Sequence, residues 1–469
     1  MQENLGEALD DSASDPEITP ASGDPAAPSL WTRLRPELPW AAGVGLLALL
    51  MSMTAILVGT TMSALDEQTH MDYAWQISRG EIPAAGDDLS DYVLEEWSCR
   101  GQSNMPELPP CELAAAGDAA TEDYPGHGEN YNFFHPPAYY VTAAATGLVG
   151  EAVGLEFSTG ARLASAAWLT IGMVAVYGAL RTWRLPRSWA FSGAALLLAF
   201  KPVIASGWQV SNDGPAMLVG AGALWVLGRW ALHGRIGWLW PTLVALLAAT
   251  TKVMSSVGIL AVVGLIAVMA VADVRKRDWR TLGRRAATVL APVAVVSACM
   301  TGWSAFQSGR GDPDWVNPLF GISTREVVGR PFDEVVPTLL DAFGLIKSSQ
   351  FPTELDGWQI TSVTSAWWVL LTAAPFMVLV AFGAMRNERL LGLAAIAGTI
   401  GAGVIVQVQE VVGNGYAFRL ISGRYAITLL PITAAAFVLS LQHRGFAIAL
   451  HTAVGLSVAV MWLSLGGVL

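Results

Sequence analysis

The sequence predicts an all-α, polytopic membrane protein with about eleven transmembrane helices and further juxtamembrane helices in its first outer loop. The chain of 469 residues is 53% hydrophobic and only 14% charged, with a mean hydropathy of +0.46. A water-soluble chain of this length would carry more charge. Apolar stretches of membrane-spanning length recur along it, and most of its Arg and Lys residues lie in the short segments between them.

Eleven apolar stretches have about the length of ~20 residues that a bilayer core requires. They are 40–60, 162–181, 188–208, 214–232, 236–251, 254–272, 286–304, 361–384, 390–408, 425–441 and 446–466. A further stretch, 136–153, would reverse the charge pattern of the following loop if it crossed the membrane. We therefore predict a juxtamembrane or re-entrant helix there, beginning at two prolines that have no N–H to leave unsatisfied.

The basic residues predict the orientation, because cytoplasmic loops retain Arg and Lys. They are Arg33, Arg35, Arg181, Arg184, Arg187, Arg229, Arg235, Arg275, Lys276, Arg277, Arg280, Arg284, Arg285, Arg386, Arg389 and Arg444. Placing them inside puts the N-terminus in the cytoplasm and the acid-rich segments 61–135, 305–360 and 409–424 outside. We expect a multi-pass protein of the plasma (inner) membrane whose chemistry faces away from the cytoplasm.

Two regions are predicted, a disordered acidic cytoplasmic tail at 1–36 and an integral membrane domain at 37–469. The tail is rich in Asp, Glu, Ala, Ser and Pro and can bury almost nothing. It lacks the basic start and cleavage site of a signal peptide, which predicts that the first apolar stretch is retained as a helix. The net charge of -11 argues against nucleic-acid binding.

The three cysteines differ in their surroundings. Cys99 and Cys111 fall in the first outer loop, where an oxidising compartment favours a disulfide. Cys299 falls in an apolar stretch and is interpreted as packing.

Acidic residues follow two of the predicted spans. On a helix, Asp66 and His70 would share a face, with Glu67 beside them. A carboxylate at a partly desolvated boundary can act as a general base, and a second acid or a histidine can hold it or help to bind a divalent cation. A polar helix cap is the plain alternative for Asp66. Asp213 provides a second acid at similar depth, although Asn212-Asp213-Gly214 also suits an ordinary turn.

Three basic residues lie on the predicted non-cytoplasmic side, where Arg and Lys are uncommon. Lys252 interrupts an apolar run at 238–272 and predicts a tight outer turn; it either binds a lipid phosphate or snorkels to the interface. Arg419 and Arg424 lie on the predicted outer side and need an anionic partner. A phosphate or diphosphate at the membrane surface would supply one.

Four short motifs, taken in order, resemble the GT-C superfamily of membrane glycosyltransferases, which includes protein O-mannosyltransferases and aminoarabinose transferases. They are Asp66-Glu67-x-x-His70-x-x-Tyr73-Ala74 with Gly80-x-Ile82-Pro83, then Phe134-His135-Pro136-Pro137-Ala138-Tyr139-Tyr140, then Asn212-Asp213, and finally Ser422-Gly423-Arg424-Tyr425 with Leu430-Pro431. The resemblance covers most of the membrane region, although each motif is short.

The resemblance implies roles for individual residues. Asp66 becomes the general base or acceptor-orienting carboxylate, with Glu67 beside it as a second catalytic acid. Asp213 supports the same pocket as Asp66. Near the phosphate of a polyprenyl-phosphate sugar donor lie His135, Lys252 and Arg424. The substrate-binding residues predicted in all are His70, His135, Asp213, Lys252, Arg419 and Arg424. A divalent cation stays open, with Asp66, Glu67, His70 and Asp213 as its candidate ligands.

The sequence therefore predicts a glycosyltransferase that moves a sugar, with inversion, from a polyprenyl-phosphate donor to an extracytoplasmic glycan, lipid or protein. Two alternatives stay open, a transporter or flippase of lipid-linked glycans and a non-catalytic scaffold. The sugar, the acceptor, the carrier length and the metal are not specified. Residues 76–132 and 305–360 are candidates for acceptor recognition, and 332–346 has the pattern of an interfacial helix.

Overall fold

A computed structural model describes most of the chain. It covers residues 32, 34–64, 66–102, 107–234, 236–276, 279–318, 324–328, 358–381, 387–418, 423–442 and 445–468. The described residues from 40 onward form one compact unit. Most of the predicted tail lies outside the described residues, as do Arg419 and the predicted interfacial helix at 332–346.

The described residues fold mainly into α-helices, which we number in chain order. They are α1 Leu38–Val58, α2 Glu67–Ser78, α3 Asp91–Arg100, α4 Cys111–Ala116, α5 Ala138–Ala152, α6 Phe157–Thr182, α7 Arg187–Leu197, α8 Lys201–Trp208, α9 Ala216–His233, α10 Leu239–Thr251, α11 Val257–Lys276, α12 Trp279–Ser308, α13 Trp358–Val380, α14 Arg389–Asn414, α15 Leu430–Gln442 and α16 Ala447–Leu465. Strands β1 Thr324–Glu326 and β2 Tyr416–Phe418 pair antiparallel. Short 3₁₀ helices include Val253–Ser256 and Gly423–Leu429.

Nine helices of the described residues are long and apolar enough to cross a membrane. The bent pair α7 and α8 makes a tenth candidate, and α10 is a shorter apolar helix. Each of the eleven predicted spans corresponds to one of these elements, so the prediction of a polytopic helical membrane protein is confirmed.

The predicted span at 188–208 differs from the structure because it is broken. Helices α7 and α8 meet at an angle of 76°. Pro202, at the start of α8, has no N–H to donate, and its ring would clash with the carbonyl of Leu198 in a continuous helix. The proline therefore accounts for the break, which lies well within the predicted span.

Helix α5, in the segment predicted to be juxtamembrane or re-entrant, has 15 residues and is not among the helices of spanning length in the described part of the chain. It packs closely on α6 through glycines. A Cβ on Gly147 would lie 2.4 Å from the ring of Phe157, and one on Gly150 would lie 2.8 Å from the Cα of Gly160. Small residues permit this approach of two helix backbones.

Replacing Gly160 by Ala tests this contact. The new Cβ would lie 2.7 Å from the carbonyl oxygen of Thr146, a backbone atom that cannot move aside independently. We expect a loss of about 1–3 kcal/mol of stability, measured as a lower thermal midpoint in nanodiscs. Gly178→Ala, in the same helix with open space around its Cβ, is the matched control and should leave the midpoint unchanged or raise it. Equal midpoints for the two variants would contradict close packing of α5 on α6.

The predicted disulfide is confirmed. Cys99 at the end of α3 is bonded to Cys111 at the start of α4. The bond holds together part of the segment between α2 and α5. Cys299 is a free cysteine within α12, as expected.

Candidate functional site

Asp66 lies just before α2 in a left-handed backbone conformation, with φ 62° and ψ 21°. This region is uncommon for residues other than glycine, although Asp tolerates it better than most. The shared helical face predicted for Asp66 and His70 is therefore wrong, because Asp66 is outside the helix. Its carboxylate instead accepts hydrogen bonds from the Tyr131 hydroxyl at 3.2 Å and from Arg424 Nη2 at 2.7 Å.

The partners of Asp66 leave its carboxylate accessible. Its side chain is 21% exposed while paired with Arg424. Burial and the charge of Asp66 raise the pKa of Tyr131 well above its ordinary value, so its hydroxyl stays protonated and donates. The Asp66 carboxylate is thus fixed by two hydrogen bonds and still accessible to a ligand.

Glu67, one residue later, has a different environment. It is fully buried, and both its oxygens accept hydrogen bonds from Arg162, at 2.8 and 2.9 Å. The backbone N–H groups of Ser63 and Val210 donate to the same carboxylate, at 2.7 and 2.9 Å. Glu67 therefore joins three segments of chain and has little room for a substrate.

The turn that carries Asp213 is held by contacts of this kind. The backbone N–H of Ser211 donates to the Tyr139 hydroxyl at 2.9 Å, and that hydroxyl also bonds to Ser165 Oγ. Together with the bond from Val210 to Glu67, these contacts fix 209–213 against α2, α5 and α6. Asp213 then accepts a hydrogen bond from Lys252 Nζ at 2.6 Å, with both side chains 4% exposed.

Lys252 ends α10 in an extended conformation, which confirms the predicted turn. Its Nζ lies 5.5 Å from the centre of the Tyr425 ring, and Arg424 Cζ lies 5.8 Å from the same ring centre. The two ion pairs, Asp66 with Arg424 and Asp213 with Lys252, therefore meet around one aromatic side chain.

Close backbone contacts place Arg424. The 3₁₀ helix Gly423–Leu429 crosses two glycines, and a Cβ on Gly220 or Gly258 would lie 2.6 or 2.9 Å from the carbonyl oxygen of Thr428. Larger residues at either position would displace the segment that carries Arg424.

Several buried polar atoms at these two ion pairs have no hydrogen-bond partner among the described residues. They are Nε and Nη1 of Arg424 and both side-chain polar atoms of Asn212, which is itself fully buried. A buried donor without a partner costs about 1–3 kcal/mol, so such atoms call for a ligand or water. The site thus offers unused donors beside two carboxylates.

Two histidines line the same region. The rings of His70 and His135 stack with centres 5.9 Å apart, and His70 Nδ1 is hydrogen-bonded to the Tyr140 hydroxyl at 2.7 Å. Burial, followed by the positive charges of Arg424 and Lys252, lowers the pKa of His70 well below its ordinary value. Burial and Lys252 do the same to the pKa of His135. Both rings are therefore neutral at pH 7.

This predicts a loss of stability in mild acid. Below the ordinary histidine pKa of about 6.5, the unfolded chain takes up protons at these positions that the folded chain refuses. Above that pH, the two histidines do not lower the free energy of unfolding. As the pH decreases toward the pKa in the folded state, each histidine lowers it by up to about 1.4 kcal/mol per pH unit. Thermal midpoints in nanodiscs between pH 7.5 and 5.5 measure the slope. His70→Gln should flatten it, and a wild-type midpoint constant over this range would contradict the assignment.

The structure brings together most of the predicted site residues, namely Asp66, His70, His135, Asp213, Lys252 and Arg424. Glu67 lies behind them in its own ion pair. The sequence assigned no role to Asn212, although it belongs to one of the four motifs, and it did not indicate Tyr131 or Arg162. Within the described part of the chain, no three His, Cys, Asp or Glu side chains are grouped so as to hold a metal ion, and the four candidate ligands named from the sequence form no such group.

Comparisons with known proteins find a distant likeness. No family model matches the chain, and no curated protein matches it. It is similar to ArnT from Cupriavidus metallidurans bound to undecaprenyl phosphate, with 16% identity and a TM-score of 0.45, over 94% of this chain and 77% of the other. The apo structure of the same protein gives 16% identity and a TM-score of 0.41, over 84% and 74%. At this distance, chemical roles must be argued from this chain's own residues.

Proposed function

We propose that this protein is a membrane glycosyltransferase that moves a sugar from a polyprenyl-phosphate carrier to an acceptor on the non-cytoplasmic side. The observation that carries the proposal is the pairing of two carboxylates with two cations around Tyr425, with buried donors of Arg424 and Asn212 left without partners. A transfer of this kind needs a base for the acceptor and positive charge for the departing phosphate. Both are supplied within one site.

Asp66 is the general base of this reaction. Its accessible carboxylate takes the proton of an acceptor hydroxyl while the acceptor oxygen forms a bond to the anomeric carbon. The bond between that carbon and the phosphate oxygen breaks, and its electron pair leaves with the polyprenyl phosphate. Attack from the face opposite the phosphate inverts the anomeric centre.

Arg424 and Lys252 bind the phosphate. Arg424 uses only Nη2 for Asp66, so its remaining guanidinium donors can bind an anion without breaking that pair. Lys252, with Nζ 5.5 Å from the centre of the Tyr425 ring, adds a second charge. Arg424 thus joins the base to the donor and fixes the distance between them, with neutral His135 close by as a further hydrogen-bonding group.

Glu67 is assigned a structural role in this scheme, in place of the catalytic role expected from the sequence. Its oxygens are taken up by Arg162 and by the N–H groups of Ser63 and Val210. It positions the turn of Asp213 relative to Asp66.

The test is transfer by the purified protein in nanodiscs. A radiolabelled polyprenyl-phospho-sugar is supplied with membrane extracts as acceptor, and label is followed from the carrier to the acceptor. Proteoliposomes measure in parallel whether the carrier crosses the bilayer. Label transfer supports the proposal; carrier translocation without transfer would identify a flippase and overturn it.

Replacing Arg424 by Lys tests phosphate binding separately from chemistry. Lysine keeps the charge but loses the planar fork that can bind Asp66 and a phosphate together. We expect binding of unglycosylated polyprenyl phosphate to weaken about tenfold, measured by displacement of a fluorescent lipid phosphate. Arg79→Lys, at an exposed arginine just after α2, is the control. Unchanged affinity in Arg424→Lys would remove Arg424 from the phosphate site.

A further inference from the structure

A cleft of about 450 Å³ opens at the far end of α2, away from Asp66. Its walls include Gln76, Glu81, Asp87, Phe306 and Arg310. They come from the end of α2, the loop that follows it and the end of α12. The chemistry proposed above uses none of these side chains.

Hydrogen bonds hold the walls in place. Arg310 Nη2 donates to the carbonyl of Ile82 at 2.6 Å, and the guanidinium lies over the ring of Phe306 at 4.8 Å. Gln307, next to Phe306, donates to the carbonyls of Pro83 and Phe133. The cleft is therefore preformed, and the same contacts reach the segment that precedes His135.

The lining disfavours an anionic ligand. Glu81 and Asp87 outnumber the single cation Arg310, and the surrounding loop is acidic as well. Burial, followed by the negative charges of Glu129 and Asp87, raises the pKa of the adjacent Asp88. An anionic ligand is thus disfavoured.

The same lining suits a sugar. Phe306 stacks on Trp303, with ring centres 5.1 Å apart, and its ring is also in contact with Arg310, yet it remains 44% exposed. Its exposed part offers an apolar surface against which the C–H groups of a sugar ring can pack. Carboxylates accept hydrogen bonds from hydroxyl groups, an amide does both, and a guanidinium donates them. An exposed ring flanked by such groups matches the apolar and hydroxyl faces of a saccharide.

We propose that this cleft binds an uncharged glycan that forms the distal part of the acceptor. The inference rests on the proposed function, because it takes the acceptor to react at Asp66. Gln76 follows Asp66 by ten residues along α2, which corresponds to about 15 Å at the rise of a helix. An acceptor that occupies both places is therefore an extended oligosaccharide.

Binding in the absence of donor tests the cleft independently of transfer. The wild-type protein in nanodiscs is applied to an array of neutral linear hexose and pentose tetrasaccharides and their sulfated counterparts. We expect binding to at least one neutral glycan, and weaker binding to its sulfated form. Phe306→Ala should weaken binding at least tenfold, whereas Phe306→Trp, which keeps the aromatic surface, should retain it. Leu113→Ala, an exposed position elsewhere in the outer loop, is the control.

Kinetics then link the cleft to the reaction. Phe306→Ala should raise the KM for a tetrasaccharide acceptor at least tenfold and leave the KM for a monosaccharide acceptor unchanged. The proposal is overturned if no neutral glycan binds or if Phe306→Ala binds glycan as well as the wild type does. It is also overturned if Phe306→Ala raises the KM values of both acceptors equally. Glycan binding by a protein that transfers no sugar would overturn the proposed function and leave the binding site standing.

Discussion

Asp66→Asn should lower sugar transfer by about 10²–10⁴-fold while the protein remains folded, because an amide cannot accept the acceptor's proton. Asn tolerates the left-handed backbone at this position as well as Asp does, so the turn before α2 is kept. The pair with Arg424 is mostly buried, with side chains 16% and 21% exposed, but the amide oxygen of Asn can still accept from Arg424, so the change should cost about 1–3 kcal/mol. Activity and thermal midpoint are measured on the same nanodisc preparation.

The control for this prediction is Asp91→Asn, which removes an exposed carboxylate from the first turn of α3, in the segment that follows α2. It should transfer sugar at the wild-type rate. Binding of polyprenyl phosphate to Asp66→Asn separates a missing base from a lost donor site, and we expect that binding to persist. Transfer by Asp66→Asn at more than one-tenth of the wild-type rate would rule out Asp66 as the base.

The sequence predicted the membrane spans well because their signal is local. About twenty apolar residues between charged loops identify a span without reference to the rest of the chain. Pro202 is a residue that breaks helices, but the break was not predicted because the residues on both sides of it are continuously apolar. Hydropathy indicates the length and composition of an apolar segment, but it does not indicate whether the helix axis changes direction within it.

The candidate site was predictable only in part, for a physical reason. Charged residues at a membrane boundary are costly, and they therefore indicate a functional site. On this ground the sequence predicted Asp66, Asp213, Lys252 and Arg424. Their pairing was not visible, since Asp66 and Arg424 are 358 residues apart along the chain. Asn212 was missed because an Asn before Asp-Gly already has an explanation as a turn residue.

Glu67 shows why adjacent acids cannot be assigned alike from sequence. In an α-helix, neighbouring residues point in directions about 100° apart, and here Asp66 is also turned by its left-handed backbone. One carboxylate therefore faces the site and the other the protein interior. Arg162, which decides the role of Glu67, lies 95 residues away.

Glu67→Ala should lower stability by about 3–5 kcal/mol, the largest effect on folding that we expect from a single change. It leaves the guanidinium of Arg162, 2% exposed, without its carboxylate partner, and removes an acceptor from two backbone N–H groups. The thermal midpoint and the yield of folded protein measure the loss. Glu96→Ala breaks a more exposed i, i+4 pair with Arg100 and should cost about 1 kcal/mol or less.

A second variant distinguishes a structural Glu67 from a catalytic one. Glu67→Gln keeps a side-chain oxygen that can accept from Arg162 and from the N–H of Val210, but its amide cannot take up a proton. If Glu67 only positions the Asp213 turn, the folded fraction of this variant should keep a large part of the transfer rate. If Glu67 takes part in proton transfer, the folded fraction should transfer no sugar. A folded Glu67→Gln protein without the reaction would therefore restore the catalytic role first expected for this residue.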